Sequence, residues 1–204
     1  SLAAEVVAAG VSCFFHSIVG LDGARRPITD VLSWADTTSA GEAAGLRERI
    51  DAESVHALTG APIHASYWPA RILRLRQEQE GIGHWAGFPE LLVEMLTGRA
   101  AVSRSMASGT GLLDRARGTW SEVLLEHLEV RPNNLPALVD DDESIGRLSG
   151  AASRRWPQLA HVSWFAAWGD GACGNVGLGA TGSGTASSRK FTRNCGNTQS
   201  WGLV

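Results

Sequence analysis

One carboxylate near the end of the chain is the residue best suited to chemistry. Asp170 stands between Gly169 and Gly171, after the apolar residues 164–168 and before a run of small residues. This pattern predicts a strand followed by a helix, so Asp170 is expected at the sheet edge where ligands of open α/β folds bind. The two glycines let the backbone turn sharply and another molecule approach closely. Asp170 could remove a proton from a bound hydroxyl there, or it could cap the helix that follows.

Composition and charge narrow the class of protein. The chain has 204 residues and a net charge of −3, and its basic residues are scattered, so it lacks the footprint of a nucleic-acid-binding protein. No apolar run approaches the roughly 20 residues that cross a bilayer. The cysteines, Cys13, Cys173 and Cys195, are odd in number and far apart, which indicates a reducing compartment such as the cytoplasm. The proximity of Cys13 to His16 does not by itself make a zinc site.

Hydrophobic patterning predicts an α/β fold with sheet segments at both ends of the chain and helices between them. Residues 11–21 are apolar on both faces and predict one buried strand. Asp22-Gly23 indicates a tight turn, residues 27–34 predict the returning strand, and residues 101–106 predict another. Helical spacing, with Pro and Gly near the ends, predicts helices over residues 39–50, 51–60, 69–80, 89–97, 120–128 and 150–159.

The composition changes at about residue 180. Residues 180–204 are small, polar and basic, without a helical or strand period. A turn rich in Gly, Ser and Thr could present amides to a phosphate, but the spacing of a P-loop is missing. We therefore expect this segment to be disordered or to arise from a shifted reading frame.

Short sequence blocks spread over residues 8–179 are similar to those of a known family. The most specific are SMASGTG at residues 105–111 and GDGA at residues 169–172. The others are Gly10-Val11-Ser12, Phe15-His16-Ser17, Leu21-Asp22-Gly23, Trp34-Ala35-Asp36, residues 64–70, Leu96-Thr97-Gly98 and Leu135-Pro136. In this order the blocks resemble the FGGY family of carbohydrate kinases, most closely its gluconate-type branch.

The resemblance implies an actin-like ATPase architecture with ribonuclease H-like domains, of which this chain would hold mostly the N-terminal, sugar-binding domain. A sugar would lie deep in a cleft, and ATP with Mg²⁺ would reach it from the second domain. Asp170 matches the family's general base, which accepts the proton of the attacking sugar hydroxyl. His16, Trp34 and Asp36 match positions that contact the sugar. Phosphoryl transfer depends mainly on positioning and charge neutralisation, so a strong base is not required.

Each sugar-contacting residue also has a structural alternative. His16 lies inside an apolar run and could be a core histidine hydrogen-bonded to backbone. Trp34 could be part of the hydrophobic core. Asp36 could cap a helix that begins near Thr37.

The chain departs from the family's pattern at four positions and at both ends. Thr38 stands where the Trp-x-Asp-x-Arg element has Arg, and Arg71 and Arg74 stand where the signature helix has Lys and Trp. Trp68 replaces the usual small residue or Pro. The segments that the resemblance places before residue 1 and after residue 179, including both phosphate loops, are not recognisable. We therefore expect residues 1–179 to form an incomplete N-terminal kinase domain, without its first strands and phosphate loop, and residues 180–204 to form an atypical tail.

The resulting hypothesis is ATP-dependent phosphorylation of a sugar or sugar acid, with gluconate favoured and with little turnover by these 204 residues alone. One alternative is a non-catalytic, truncated sugar-binding fragment. Another is a kinase of the same family that acts on xylulose, glycerol or a related polyol. No nucleic-acid or membrane partner is expected, and the sequence leaves the oligomeric state open.

Overall fold

Short strands alternate with helices in the computed structural model, which describes residues 6–179; the predicted tail, residues 180–204, lies outside the described residues. The helices are α1 Ala40–Arg49, α2 Ala52–Thr59, α3 Trp68–Glu78, α4 Phe88–Thr97, α5 Arg104–Ser108, α6 Glu122–His127, α7 Gly150–Arg155 and α8 Asp170–Gly177. The strands are β1 Ala8–Ala9, β2 Ser12–Cys13, β3 Val19–Leu21, β4 His84–Ala86, β5 Ala101–Ser103, β6 Leu113–Asp114, β7 Thr119–Trp120, β8 Ala137–Val139, β9 Ser144–Gly146, β10 Ser163–Phe165 and β11 Trp168–Gly169. The predicted α/β class is confirmed, and none of the helices in this part of the chain has the length and hydropathy of a membrane span.

The strand pair that leads to Asp170 joins the two ends of the described chain. β1 runs parallel to β10, and β2 runs parallel to β11 with Ser12 opposite Trp168. Between these pairings, the Trp168 N–H donates to the Val11 carbonyl oxygen at 2.8 Å. The predicted strand before Asp170 is therefore confirmed, although it consists of two short segments, and Asp170 follows the carboxyl end of β11.

The prediction of one continuous strand over residues 11–21 is wrong. β2 ends at Cys13, and β3 begins only at Val19 and pairs antiparallel with β4. Between them His16 has a φ of 68°, which lies in the left-handed region and is incompatible with a strand. The bend depends on contacts with distant residues, described below, which hydrophobic patterning does not reveal.

The predicted returning strand over residues 27–34 is also wrong. The structure has only two isolated antiparallel pairings there, at Pro27 and at Leu32. Pro27 has no N–H to donate to a strand ladder. The predicted tight turn is confirmed at Asp22, whose carbonyl oxygen accepts the Arg25 N–H at 3.0 Å.

The first four helices lie close to their predicted positions. Asp51 caps α2, since its carboxylate accepts the Ser54 N–H at 3.0 Å, and α2 ends at Gly60 with a φ of 75°. α3 begins at Trp68, one residue before Pro69, which had been expected to be its first residue. These ends are encoded locally by capping residues, proline and glycine, which explains why the sequence predicts them.

Three later predictions were too long. β5 ends at Ser103, whose hydroxyl oxygen accepts the Met106 N–H at 3.1 Å and caps α5, so residues 104–106 are helical. Trp120 belongs to β7, and α6 occupies only Glu122–His127. α7 ends at Arg155, and a separate 3₁₀ turn follows at Pro157–Leu159, since the residue before a proline disfavours helical backbone.

Two hydrophobic clusters meet at the segment that leads to Asp170. Ala167 belongs to the larger cluster, together with the fully buried Trp68 and Trp85. Its neighbour Ala166 belongs to the smaller cluster. Both residues lie between β10 and β11, so this segment is packed against both clusters.

Candidate functional site

Asp170 is exposed and opens α8 at the carboxyl end of β11. The N-cap position belongs to Gly169, so the alternative that Asp170 is the N-cap residue is wrong. Its Oδ1 accepts the Gly171 N–H at 2.8 Å, which satisfies one amide of the first helical turn. Among the described residues nothing bonds Oδ2, so one oxygen of the carboxylate remains free to accept a proton.

Three glycines around Phe15 hold the turn at Asp170 against residues 13–16. A methyl group on Gly169 or on Gly109 would overlap the Phe15 ring, and one on Gly171 would lie 3.7 Å from it. A side chain at residue 169 would therefore displace the ring. The Phe15 ring thus packs against the turn that carries Asp170, and Phe15 is the neighbour of His16 in the chain.

His16 is anchored through one nitrogen of its ring. Its Nδ1 lies 2.6 Å from the Gly109 carbonyl oxygen, and because that oxygen only accepts, Nδ1 carries the proton. The ring also meets the Tyr67 ring edge-on, with 4.7 Å between centroids. Burial and nearby positive charges lower the pKa of His16, against the opposite effects of the Gly109 bond and the Asp170 charge. The neutral ring presents Nε2 as an acceptor, and no described residue bonds it.

Asp36 is anchored through one oxygen of its carboxylate. Oδ1 accepts both the N–H of Thr38, at 3.0 Å, and its hydroxyl proton, at 2.5 Å. The N-cap of α1 is Ser39, so the alternative that Asp36 caps this helix is wrong. Partial burial raises the pKa of Asp36, but the Thr38 bonds and the charges of Arg71 and Arg74 outweigh it and hold the pKa below its ordinary value. Oδ2 has no partner in the described part of the chain and is available as an acceptor.

Arg71, on the buried face of α3, binds the backbone of both anchored residues. It is fully buried, and its guanidinium donates hydrogen bonds to the carbonyl oxygens of His16, Leu32, Ser33, Asp36 and Ala65. Burial lowers the pKa of Arg71 to about 10, which the Asp36 charge opposes, so the side chain stays protonated at neutral pH. One cation therefore fixes the main chain of both His16 and Asp36.

Trp34 lies beside this backbone with its side chain directed to solvent. The residue is 55% exposed, so the alternative of core packing is wrong. Arg71 holds the carbonyl oxygen of the preceding residue, Ser33, at 2.7 Å. The exposed indole offers a flat apolar surface to solvent.

The structure thus brings His16, Trp34 and Asp36 to one region. Asp170, the fourth candidate, affects this region through its charge. Arg71 bonds the carbonyl oxygens of His16 and Asp36, and Trp34 lies between them in the held backbone. Asp170 is close enough for its charge to affect the pKa of His16, although no hydrogen bond between described residues links them. The chemical roles of these four residues remain predictions.

The sequence analysis did not assign Arg71 or Phe15 a role in building the site. For Arg71 a signal was present: helical spacing places it on the same face as the apolar Trp68, Ile72 and Leu75. A charged residue on a buried face requires partners. For Phe15 there was none, since its glycine neighbours lie far away in sequence.

A cavity of about 400 Å³ lies elsewhere, along the β1–β2 segment and α8. It is lined mainly by small and aromatic residues, including Ala8, Gly10, Phe165 and Trp168. None of the four candidate residues lines it. The candidate residues His16 and Asp36 instead lie where Arg71 joins their backbones.

In residues 6–179 no group of three His, Cys, Asp or Glu side chains could hold a metal ion. Mg²⁺ that is bound with ATP takes most of its ligands from water and phosphate oxygens and only one or two from protein carboxylates, so it does not require such a group.

Comparisons with known proteins show the family and the fold of the chain. The model of the N-terminal domain of the FGGY family of carbohydrate kinases matches residues 2–177. Gluconokinase of Bacillus subtilis (strain 168) is 26% identical over 173 residues, covering 83% of this chain and 34% of that protein. Xylulose kinase of Escherichia coli (strain K12) is 28% identical over 179 residues, covering 86% of this chain and 36% of that protein. The chain therefore spans about a third of the length of these relatives.

Solved structures with the same fold include two kinases. Gluconate kinase from Lactobacillus acidophilus superposes with a TM-score of 0.80 at 24% identity, covering 88% of this chain and 38% of that one. Plasmodium falciparum glycerol kinase with ADP superposes with a TM-score of 0.80 at 16% identity, covering 88% and 37%.

The fold is that of the N-terminal, ribonuclease H-like domain of an actin-like ATPase, as the sequence resemblance implied. The match over nearly the whole described chain identifies the family as well. The chain belongs to the FGGY family of carbohydrate kinases.

Proposed function

We propose that this chain is the sugar-binding part of an ATP-dependent carbohydrate kinase of the cytoplasm, and that its preferred acceptor is gluconate. The observation that carries the proposal is the Arg71 guanidinium, which bonds the carbonyl oxygens of His16 and Asp36. The side chains of both residues are anchored through one polar atom and leave the other open. Such preorganised acceptors suit the hydroxyl groups of a sugar.

In the proposed reaction, Asp36 Oδ2 and His16 Nε2 each accept a hydrogen bond from a sugar hydroxyl. Trp34 packs against the apolar face of the sugar. Asp170 accepts the proton of the hydroxyl that becomes phosphorylated, using the oxygen that Gly171 does not occupy. When ATP is bound it supplies the phosphoryl group, and the chain's own contribution is to orient the acceptor oxygen and remove its proton.

Titration calorimetry of this chain with gluconate tests the binding part of the proposal. Asp36→Asn removes the proposed acceptor charge, and we expect it to weaken gluconate binding. Asp51→Asn is a matched control, because the Asp51 carboxylate accepts an N–H and a hydroxyl proton from Ser54 in the same manner but lies at the start of α2. Equal affinities of the Asp36 and Asp51 variants would contradict the assignment of the site.

Turnover with ATP and gluconate tests the role of Asp170. Where phosphorylation is measurable, Asp170→Asn should lower its rate by roughly 10²- to 10⁴-fold, the range of general-base catalysis, while gluconate binding persists. An unchanged rate would contradict the role of Asp170 as base. Gluconate binding without ATP binding or turnover would favour a non-catalytic sugar-binding fragment.

A second candidate function is phosphorylation of xylulose. It is favoured by the xylulose kinase of Escherichia coli, which is 28% identical to this chain over 86% of its length. Titrating xylulose and glycerol beside gluconate separates these candidates, because the preferred acceptor should bind most tightly.

A further inference from the structure

Arg74 has an unsatisfied donor beside the proposed sugar site. It lies on α3 one turn after Arg71, and its Nε donates to Glu78 Oε1 at 2.8 Å. Its Nη1 is buried and has no hydrogen bond among the described residues. The Oδ1 atom of Asp36 lies 3.9 Å from Nη1. A buried N–H group without a hydrogen-bond partner costs free energy. The position of Nη1 near Asp36 therefore needs a physical explanation.

The carboxylate of Asp36 faces two cations and one threonine. Arg71 bonds the Asp36 carbonyl oxygen, Thr38 bonds Oδ1, and Arg74 approaches the same oxygen from α3. All of these groups act on Oδ1 or on the backbone, so none competes for Oδ2. The side chains of Arg74 and Asp36 are 22% and 24% exposed, which leaves their attraction less screened than that of a surface pair.

We propose that Arg74 is a positioning residue, which holds the Asp36 carboxylate by Oδ1 so that Oδ2 is directed at a hydroxyl of the bound sugar. The role of Asp36 toward a sugar rests on the proposed function; the contact between Arg74 and Asp36 does not. Thr38 stands where the family pattern has a cation, and Arg74 brings a cation to Asp36 from the helix instead.

A merely structural role for Arg74 would be the ion pair with Glu78 along the exposed side of α3. Three variants separate the two roles. Arg74→Met removes the charge and keeps most of the side-chain volume, Arg74→Lys keeps the charge, and Glu78→Gln removes only the helical partner. Because Arg74 is not fully buried, all three variants should fold, which circular dichroism will verify.

The first measurement is an NMR titration of the Asp36 carboxyl carbon in this chain, which needs no ligand. We expect the pKa of Asp36 to rise in Arg74→Met, to remain close to the wild-type value in Arg74→Lys, and not to rise in Glu78→Gln. The charges of Arg71 and the bonds of Thr38 are unchanged in all three variants. A pKa of Asp36 that is the same in Arg74→Met and in the wild type would overturn the proposal.

The second measurement is gluconate affinity by calorimetry. We expect Arg74→Met to bind about two- to fivefold more weakly, the effect of one partly screened ion pair, with affinity restored in Arg74→Lys. If the pKa of Asp36 rises but the affinity is unchanged, Arg74 does not position Asp36 for the sugar. If the wild type binds no gluconate, the proposed function fails, while the titration still decides whether Arg74 holds Asp36.

Discussion

Arg71 holds the backbone of His16 and Asp36 in place. It bonds neither His16 Nε2 nor Asp36 Oδ2, the side-chain atoms that remain open. The five N–H groups of a guanidinium are directed outward in a plane, and Arg71 uses them on five backbone carbonyl oxygens. This explains how His16 is held at a positive φ, which costs an L-residue roughly 1–2 kcal/mol. A buried cation usually needs a carboxylate, but here carbonyl dipoles supply most of the compensation.

At the residue scale we predict that Arg71→Met destabilises the protein by about 3–5 kcal/mol, the cost of breaking a buried charged network. The substitution leaves several carbonyl oxygens without donors, because the methionine side chain has no N–H group. Arg71→Lys should recover only part of this loss, since an ammonium group has three donors and a different geometry. Urea unfolding measures both.

Arg76→Met provides the control for this prediction. Arg76 lies on the same helix and also donates to two carbonyl oxygens, those of Leu128 and Glu129, but it is exposed. Its loss should cost less than about 1 kcal/mol. Similar losses for the two methionine variants would show that the Arg71 network does not hold the fold.

Among the elements, α4 carries a buried acid that the proposed chemistry does not use. Glu90 lies in its first turn and is almost completely buried, and Oε1 has no partner among the described residues. A methyl group on Gly87 would overlap Oε2. Burial raises the pKa of Glu90 to about 7, against the lowering effect of the Gly87 and Glu90 amides. At pH values below 7 the folded protein therefore keeps this carboxyl protonated.

We predict that Glu90 makes a contribution to the free energy of unfolding that declines as pH rises from about 4.5 to about 7, opposite in sign to the contribution of His16, whose pKa is lowered. In this window the folded state retains a proton on Glu90 that the unfolded chain has released, so rising pH favours unfolding. The total change expected from this group is roughly 3 kcal/mol. Glu90→Gln should flatten the decline. Urea unfolding at pH 5, 6, 7 and 8 measures this, and equal slopes for the variant and the wild type would contradict the prediction.

How far the sequence predicts the elements depends on whether their ends are encoded locally. α2 was predictable because Asp51 caps it and Gly60 ends it. The break in the predicted strand over residues 11–21 was not, since it depends on Arg71, which lies 55 positions away from His16. The same distinction holds for the site: short motifs indicated Asp170, His16, Trp34 and Asp36, whereas the contacts that position them are long-range.

For the molecule as a whole, the segments β1–β2 and β10–β11 contact both hydrophobic clusters. Ala167 belongs to the larger cluster and Ala166 to the smaller one, and Val11, between β1 and β2, packs against both. The paired strands come from opposite ends of the described chain. Loss of packing in one cluster would therefore expose residues that also contact the other.

We accordingly predict that residues 6–179 unfold in one cooperative transition. Hydrogen exchange of the α3 amides reports on the larger cluster, which contains Trp68, Ile72 and Leu75, and hydrogen exchange of the β9 amides reports on the smaller one, which contains Ile145. The two probes should give the same midpoint in urea, as expected for a two-state domain. Val11→Ala should lower both midpoints together, because it removes part of a half-buried side chain that both clusters contact. The expected loss in the free energy of unfolding is about 0.5–1.5 kcal/mol. Separate midpoints, or a Val11→Ala effect confined to one probe, would show that the clusters are independent. The site near His16 would then not depend on the packing of the smaller cluster.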